Sequence, residues 1–246
     1  MNEIEQNPPP EYQRQRPRHL RTKLSVAESG GDCQKAELPK KSKKPSKIDA
    51  PTKAETALLP PFPGLPLKQI IVPVNPTECE KAVTEILAAG VVGFDTEAKP
   101  TFRKGQKCDG PHVVQFALTD KAFILQLHRN ECAEASAQMI SSKEVLKVGF
   151  GLKNDHTQIR RRFGIELNHV FDLDQAFKKM GYRGQIGVRG AMGVLRNQCF
   201  KKSKATTTSN WSLPQLTSKQ LAYAANDAYA ALKIWETLRE KGQLVH

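Results

Sequence analysis

The chain has 246 residues, with 38 Lys+Arg against 25 Asp+Glu and a formal net charge of +13. That length suits one sizeable domain plus a tail, and the excess of positive charge points away from an enzyme of small neutral metabolites and toward a polyanionic partner. The five cysteines (Cys33, Cys79, Cys108, Cys132, Cys199) are odd in number and fit no zinc spacing, as expected of reduced thiols inside a cell.

Residues 1–66 read as a disordered basic tail. They hold Pro8-Pro9-Pro10, Gly30-Gly31, Pro60-Pro61 and a lysine cluster from Lys40 to Lys47. No apolar periodicity is present to offset the entropy of ordering them. Their 12 Lys+Arg against 8 Asp+Glu give +4, which leaves +9 on residues 67–246. The lysine cluster reads as a nuclear address, a nucleic-acid tether or a plain solvated linker. No apolar run approaches the roughly 20 residues that cross a bilayer. The segment after Met1 also lacks the apolar stretch of a secretory leader. The expectation is a soluble protein without membrane attachment, cytoplasmic, or nuclear in a eukaryote.

From Leu67 strands and helices alternate, and one domain is expected over residues 67–246. Ile70 to Val74 is a short strand. Pro76 to Ala89 is a helix with Thr77 as its cap, apolar at Ala82, Val83, Ile86 and Leu87 and stopped by Gly90. Val91 to Glu97 is a strand. His112 to Leu118 and Ala122 to Leu127 form an antiparallel hairpin across Thr119-Asp120-Lys121. Ala133 to Ile140 is helical, Val145 to Phe150 a strand, Asn154 to Phe163 a helix and Val170 to Leu173 a strand. Helices then dominate, interrupted by the basic segment Lys201 to Ser212. This order predicts an α/β fold with a mixed sheet.

Chemistry concentrates in three places. Asp95 and Glu97, in Phe94-Asp95-Thr96-Glu97, are two apart in a strand and so share a face. Two carboxylates on one face suit a hard cation such as Mg²⁺ or Mn²⁺. Tyr223 and Asp227 are four apart on the last helix and stack on one side of it. Asp155 lies between these regions, near the start of a helix. Asp172 and Asp174 are alternatives to it, with structural capping as their other reading.

Taken in order, Asp-x-Glu, Asp and Tyr-x-x-x-Asp resemble the DEDD superfamily of 3′–5′ exonucleases. The tyrosine marks the subclass of the ribonuclease D-like and Werner-syndrome-type domains, and the likeness covers about residues 67–241. It implies a ribonuclease H-like mixed sheet flanked by helices. It also implies two Mg²⁺ or Mn²⁺ ions bound by Asp95, Glu97, Asp155 and Asp227. Asp95 would bridge both ions, Glu97 and Asp227 would complete the nucleophile-side ion, and Asp155 would support the other. Tyr223 would orient the attacking water, since a phenol with a pKa of about 10 is a poor base at neutral pH. The implied reaction shortens DNA or RNA from a free 3′ end and releases nucleoside 5′-monophosphates. The competing reading is a binding module on the same fold without catalysis.

Substrate contacts are expected where charge gathers. Residues 153–204 hold 12 Lys+Arg against 4 acids, or +8, a distribution suited to phosphate contacts. Arg160, Arg161, Lys201 and Lys202 are the candidates. Trp211 reads either as a base-stacking platform or as packing. Thr96 and Phe102 flank the carboxylates and are placed beside the terminal nucleotide.

Overall fold

The computed structural model describes residues 47–101, 105 and 109–244. Within them the elements run α1 (Lys53–Ala57), a 3₁₀ turn (Leu67–Gln69), β1 (Ile70–Ile71), α2 (Pro76–Ala89), β2 (Val91–Glu97), β3 (Val113–Ala117), β4 (Ala122–Gln126), α3 (Asn130–Ser141), β5 (Leu146–Gly149), α4 (Lys153–Phe163), β6 (Val170–Asp172), α5 (Leu173–Lys179), α6 (Gly187–Arg196), α7 (Lys204–Thr207) and α8 (Ser218–Glu240). The six strands form one mixed sheet in the order β1-β4-β3-β2-β5-β6. The hairpin β3–β4 and the pair β2–β3 are antiparallel, and the remaining pairs are parallel.

Strand alternation divides this sheet into two apolar faces. Val92 and Phe94 of β2 bury with Ala82 and Ile86 of α2, Cys132 and Met139 of α3, and Ile159 of α4. Gly93, Asp95 and Glu97 alternate to the other face, where α8 lies along β2 and β3. The buried side of α8 there is Ala224, Ala225 and Ala228, packed with Val113, Ala117 and Ile124. Small side chains let the helix sit low on the sheet. The approach is closest at Gly93, where a Cβ would stand 1.9 Å from the Ala228 carbonyl oxygen. That glycine sets the height of α8 above the strand carrying the two acids.

Local chemistry places the ends of these elements. Asn75, not Thr77, caps α2: its Oδ1 accepts from Glu78 N at 2.9 Å, and Pro76 takes the first helical position, where no N–H is needed. Thr217 caps α8 in a capping box with Gln220. The Gln220 amide also donates to Ser209 Oγ at 3.0 Å and to Asn210 O at 3.1 Å, tying the preceding loop to the helix start. Lys147 of β5 is fully buried, yet its Nζ donates to the Met139 and Ser142 carbonyls at 3.0 and 2.7 Å. It closes the C-terminus of α3, and burial pulls its pKa down to about 8.

The largest departure from the sequence reading lies at residues 47–66. The tail expected over residues 1–66 is not disordered in this part, and its residues 1–46 lie outside the described residues. Ile48 N donates to Gly181 O at 3.0 Å and Ile48 O accepts from Arg183 N at 2.8 Å. Helix α1 packs on α6, with Thr56 buried between them. Phe62 N donates to Cys199 O at 2.9 Å, and Cys199 N to Pro60 O at 2.7 Å. Prolines lower the entropy lost on ordering such a segment, and the partners lie more than a hundred residues away, beyond the reach of local periodicity. The strand expected at Ile70 to Val74 is also shorter, ending at Ile71.

Gly93→Ala is expected to destabilise the protein by about 3 kcal/mol or more, the upper end for overpacking, because the obstacle is helix backbone that cannot rotate away. For a domain of this size that is a fall in Tm of about 6–12 °C. A thermal melt unchanged by the substitution would mean that α8 does not approach β2 this closely.

Candidate active site

The end of β2 and the middle of α8 meet over the sheet. Asp95, Glu97 and Asp227 each bring a carboxylate oxygen to within 4.8 Å of the others. Asp95 Oδ1 accepts from the Thr96 amide at 3.0 Å. Asp227 is 5% exposed. Lys202 Nζ stands 2.7 Å from its Oδ2 as an ion pair. Both Asp227 oxygens are shut away from solvent, with Lys202 and Tyr223 as their polar neighbours. A buried carboxylate is costly unless cations or protons meet it, and Lys202 supplies one such charge.

The electrostatics agree. Burial, then the charges of Asp155 and Asp227, push the Asp95 carboxyl well above the usual range. Burial, then Asp95 and Asp227, raise Glu97 to about 9. Asp227 is raised by burial, against the pull of Lys202. Burial alone would lower Lys202, but the acids Asp227 and Asp95 outweigh it and raise it. Like charges in a poorly solvated space repel strongly, and three converging carboxylates are the donor set a divalent ion with oxygen preference takes. The residues present therefore fit a divalent cation held by Asp95, Glu97 and Asp227.

Asp155 stands apart from that trio. Thr96 alternates to the opposite face from its acidic neighbours, and its Oγ1 donates to Asp155 Oδ1 at 2.5 Å. Asp155 sits in the first turn of α4 and is raised by burial. Its charge is still felt at Asp95. The alternatives Asp172 and Asp174 are structural. Asp172 accepts from Gly151 N, Leu152 N and Asp174 N at 3.0–3.1 Å, and Asp174 accepts from Gly187 N at 2.9 Å. They fasten the entry of α4 and the start of α6 rather than facing the trio.

Tyr223 lies one turn before Asp227 on α8. Its hydroxyl pairs with Thr207 Oγ1 at 2.8 Å, and Lys202 Nζ stands 5.6 Å from its ring centre. Burial, then Asp227, raise its pKa further, so it keeps its proton at neutral pH. Trp211 is 1% exposed, with its indole N–H directed at Thr207 O and its ring 5.9 Å from Tyr223. Burial rules out base stacking; Trp211 packs behind the tyrosine. Arg160 is exposed and paired with Glu166 through two nitrogens, each at 2.7 Å, while Arg161 is exposed at the far end of α4 from Asp155. Lys201 is exposed, and Phe102 lies outside the described residues.

Two participants, Thr207 and Gln115, escape the sequence reading, and a third, Lys202, takes a different partner from the one expected. Thr207 offers no signal in a run of threonines. Lys202 reads there as a phosphate ligand, whereas it pairs with the carboxylate of Asp227. Gln115 is fully buried on β3 directly across from Asp95, and neither amide atom has a hydrogen-bond partner among the described residues. Its signal is a polar residue inside Val113-Val114-Gln115-Phe116, a strand otherwise apolar on both faces.

Comparison with known proteins agrees with this geometry. The family described as 3′–5′ exonuclease matches residues 71–243. A 3′–5′ exonuclease of Arabidopsis thaliana is 27% identical over 151 residues, covering 61% of this chain and 52% of its own. The bifunctional 3′–5′ exonuclease/ATP-dependent helicase WRN of Mus musculus is 29% identical over 155 residues, covering 62% of this chain and 11% of its own. The chain thus spans about half the length of the first relative and about a tenth of the second. Trypanosoma brucei RNase D superposes with a TM-score of 0.62 at 19% identity over 70% of this chain and 65% of its own. The sheet and its helices are therefore the ribonuclease H-like fold.

The acidic cluster makes stability depend on pH in a defined sense. With Glu97 raised from 4.5 to about 9, and Asp95 and Asp227 raised as well, the native state holds more protons than the unfolded chain across that window. Stability then falls as pH rises through it. Metal-free protein should melt at higher temperature at pH 6 than at pH 9, and saturating Mn²⁺ should flatten the difference, since the ion replaces the protons. A metal-free Tm that climbs with pH over this range would contradict the clustering of the acids.

Proposed function

The chain belongs to the 3′–5′ exonuclease family, and on that footing we propose that it hydrolyses the terminal phosphodiester of DNA or RNA from a free 3′ end, using two divalent cations, Mg²⁺ or Mn²⁺. The observation that carries the reading is the convergence of Asp95, Glu97 and Asp227 beside a protonated tyrosine. The retention of Asp155 disfavours a binding module that has lost catalysis. Trypanosoma brucei RNase D, of like fold, has been solved in complex with RNA, and the basic stretch over residues 153–204 suits either nucleic acid.

Asp95, Glu97 and Asp227 would hold the cations, with Asp155 supporting the second from its place beside Asp95. Bound divalent ions lower the pKa of an attacking water and neutralise charge on the leaving oxygen. Thr96 fixes Asp155 and, through its amide, one oxygen of Asp95, leaving the other Asp95 oxygen for ligation. The Tyr223 hydroxyl, steadied by Thr207, is a donor and acceptor rather than a base. It would orient the water for in-line attack on the phosphorus: the P–O bond to the 3′-oxygen of the preceding nucleotide breaks, the shortened strand leaves with a 3′-hydroxyl, and the water oxygen stays on the released nucleoside 5′-monophosphate. Lys202 would be released from Asp227 if a cation took its place there, and would then be free to pair with a phosphate oxygen.

End-labelled single- and double-stranded DNA and RNA, incubated with Mg²⁺, Mn²⁺ or EDTA, test the reading. A ladder shortening from the 3′ end and abolished by EDTA is expected; internal cuts alone would sink it. Asp95→Ala and Asp227→Ala should reduce cleavage to background while the fold persists by circular dichroism.

Tyr223→Phe isolates the hydroxyl. Single-turnover cleavage should fall by roughly 10²-fold, the lower range for a positioned proton-transfer group, with Mn²⁺ affinity retained. Wild-type rates in this variant would reduce Tyr223 to a packing aromatic.

A further inference from the structure

Three glutamines are buried among the described residues, and two of them are fastened. Gln126 Nε2 donates to the Leu213 and Pro214 carbonyls at 3.1 and 3.3 Å. Gln220 closes the capping box of α8 and donates to Ser209 and Asn210. Gln115 differs: it is 0% exposed, and neither Nε2 nor Oε1 has a hydrogen-bond partner among the described residues.

Strand geometry fixes where this amide lies. Val113 and Ala117, two residues to either side, pack with Ala224, Ala225 and Ala228 of α8, so Gln115 faces α8 as they do. Its register partners are Asp95 on β2 and Ile124 on β4. Directly opposed Cβ atoms of such a pair stand about 4.5–5.5 Å apart, a gap that a glutamine side chain bridges to a neighbouring carboxylate. The same helix carries Asp227 beside Ala228, also buried.

Packing does not account for the residue. An apolar side chain of equal length would fill this space without burying two polar atoms, and an unpartnered buried amide costs stability. The cost is offset only if the amide acts on the group beside it. Asp95 ligates as an ionised carboxylate, and a donor to an ionised carboxylate makes the stronger, charge-assisted bond. The Thr96 amide already meets Asp95 Oδ1 from its own strand, and Gln115 stands on the neighbouring strand. Being neutral, it does not compete with a cation for the acids as the ammonium of Lys202 does.

We propose that Gln115 is a positioning residue of the cation site, whose amide donates to Asp95 once that carboxylate is ionised and holds it in the orientation in which it ligates. The proposal rests on the reading that Asp95, Glu97 and Asp227 hold a divalent ion.

The test pairs metal affinity with metal-free stability in the full chain. Gln115→Met keeps the length of the side chain and removes both polar atoms. Its dissociation constant for Mn²⁺, measured by calorimetry without substrate, should rise about 10–100-fold, the usual cost of losing a residue that orients a ligand. Its melting temperature in EDTA should hold or rise, since the unpartnered amide is gone. Single-turnover cleavage should recover as Mn²⁺ is raised. Gln126→Met is the contrast: it removes a satisfied buried amide, so its melting temperature should fall with Mn²⁺ affinity unchanged. Unchanged Mn²⁺ affinity in Gln115→Met would overturn the proposal and leave the cation reading standing. A melting temperature that falls as it does in Gln126→Met would also overturn it, by making the amide a packing contact. Should Gln115→Met not fold, Gln115→Leu takes its place, and failure of both to fold has the same meaning. Wild-type protein that binds no Mn²⁺ would defeat the cation reading and this proposal with it.

Discussion

The site depends on one close approach. Helix α8 rests against β2 at Gly93, nearer than any side chain at that position would allow, and the next residue along the helix from Tyr223's turn that faces the strand end is Asp227. The alanines of α8 make this possible by presenting almost no side-chain thickness to the sheet. Packing of that kind gains little per residue, since an alanine buries far less apolar area than a leucine. It brings a helix carboxylate onto two strand carboxylates that would otherwise stay apart in water. The hydrophobic contacts of the sheet therefore hold together groups that repel one another.

That repulsion is managed in two ways while no cation is bound. Protons settle on the carboxylates, as the upward shifts of Asp95, Glu97 and Asp227 indicate. Lys202 supplies a positive charge at Asp227 Oδ2. Neither removes the crowding, because Asp95, Glu97 and Asp227 still converge within 4.8 Å of one another. A buried charge cluster of this sort costs stability, and a divalent ion held by the three carboxylates would relieve it. Around it the neutral contacts are ordinary in strength, about 1 kcal/mol each, but they are many and directional. Thr96 holds Asp155, Asp172 holds the entry to α4, and Thr207 holds Tyr223. Gln220 joins the loop behind Trp211 to the cap of the same helix. The candidate site groups are thus oriented by neighbouring polar side chains.

The segment at residues 60–65 changes how the domain's limits are understood. Its prolines and glycines have the composition of a linker, yet Phe62 and Leu65 are anchors and Gly64 is a crossing point over α8. The family match begins just beyond it, at residue 71. It lines the same cavity as Tyr223 and Asp227.

What the sequence by itself determined is what repeats locally. The alternation in Val91 to Glu97 put Asp95 and Glu97 on one face, the helical spacing put Tyr223 over Asp227, and the hairpin and α2 through α4 were legible from apolar period and Gly or Pro stops. Backbone geometry imposes those relations on any chain, whatever surrounds it. Tertiary structure alone decided that Lys202 meets Asp227, that Thr207 holds the tyrosine, that Trp211 is buried, that Gln115 lies opposite Asp95 and that residues 47–66 fold back onto α6 and α8. These are contacts between positions distant in sequence, and their energy comes from desolvation and charge in a particular enclosed space. No period or composition encodes that space before the sheet and helices have closed it.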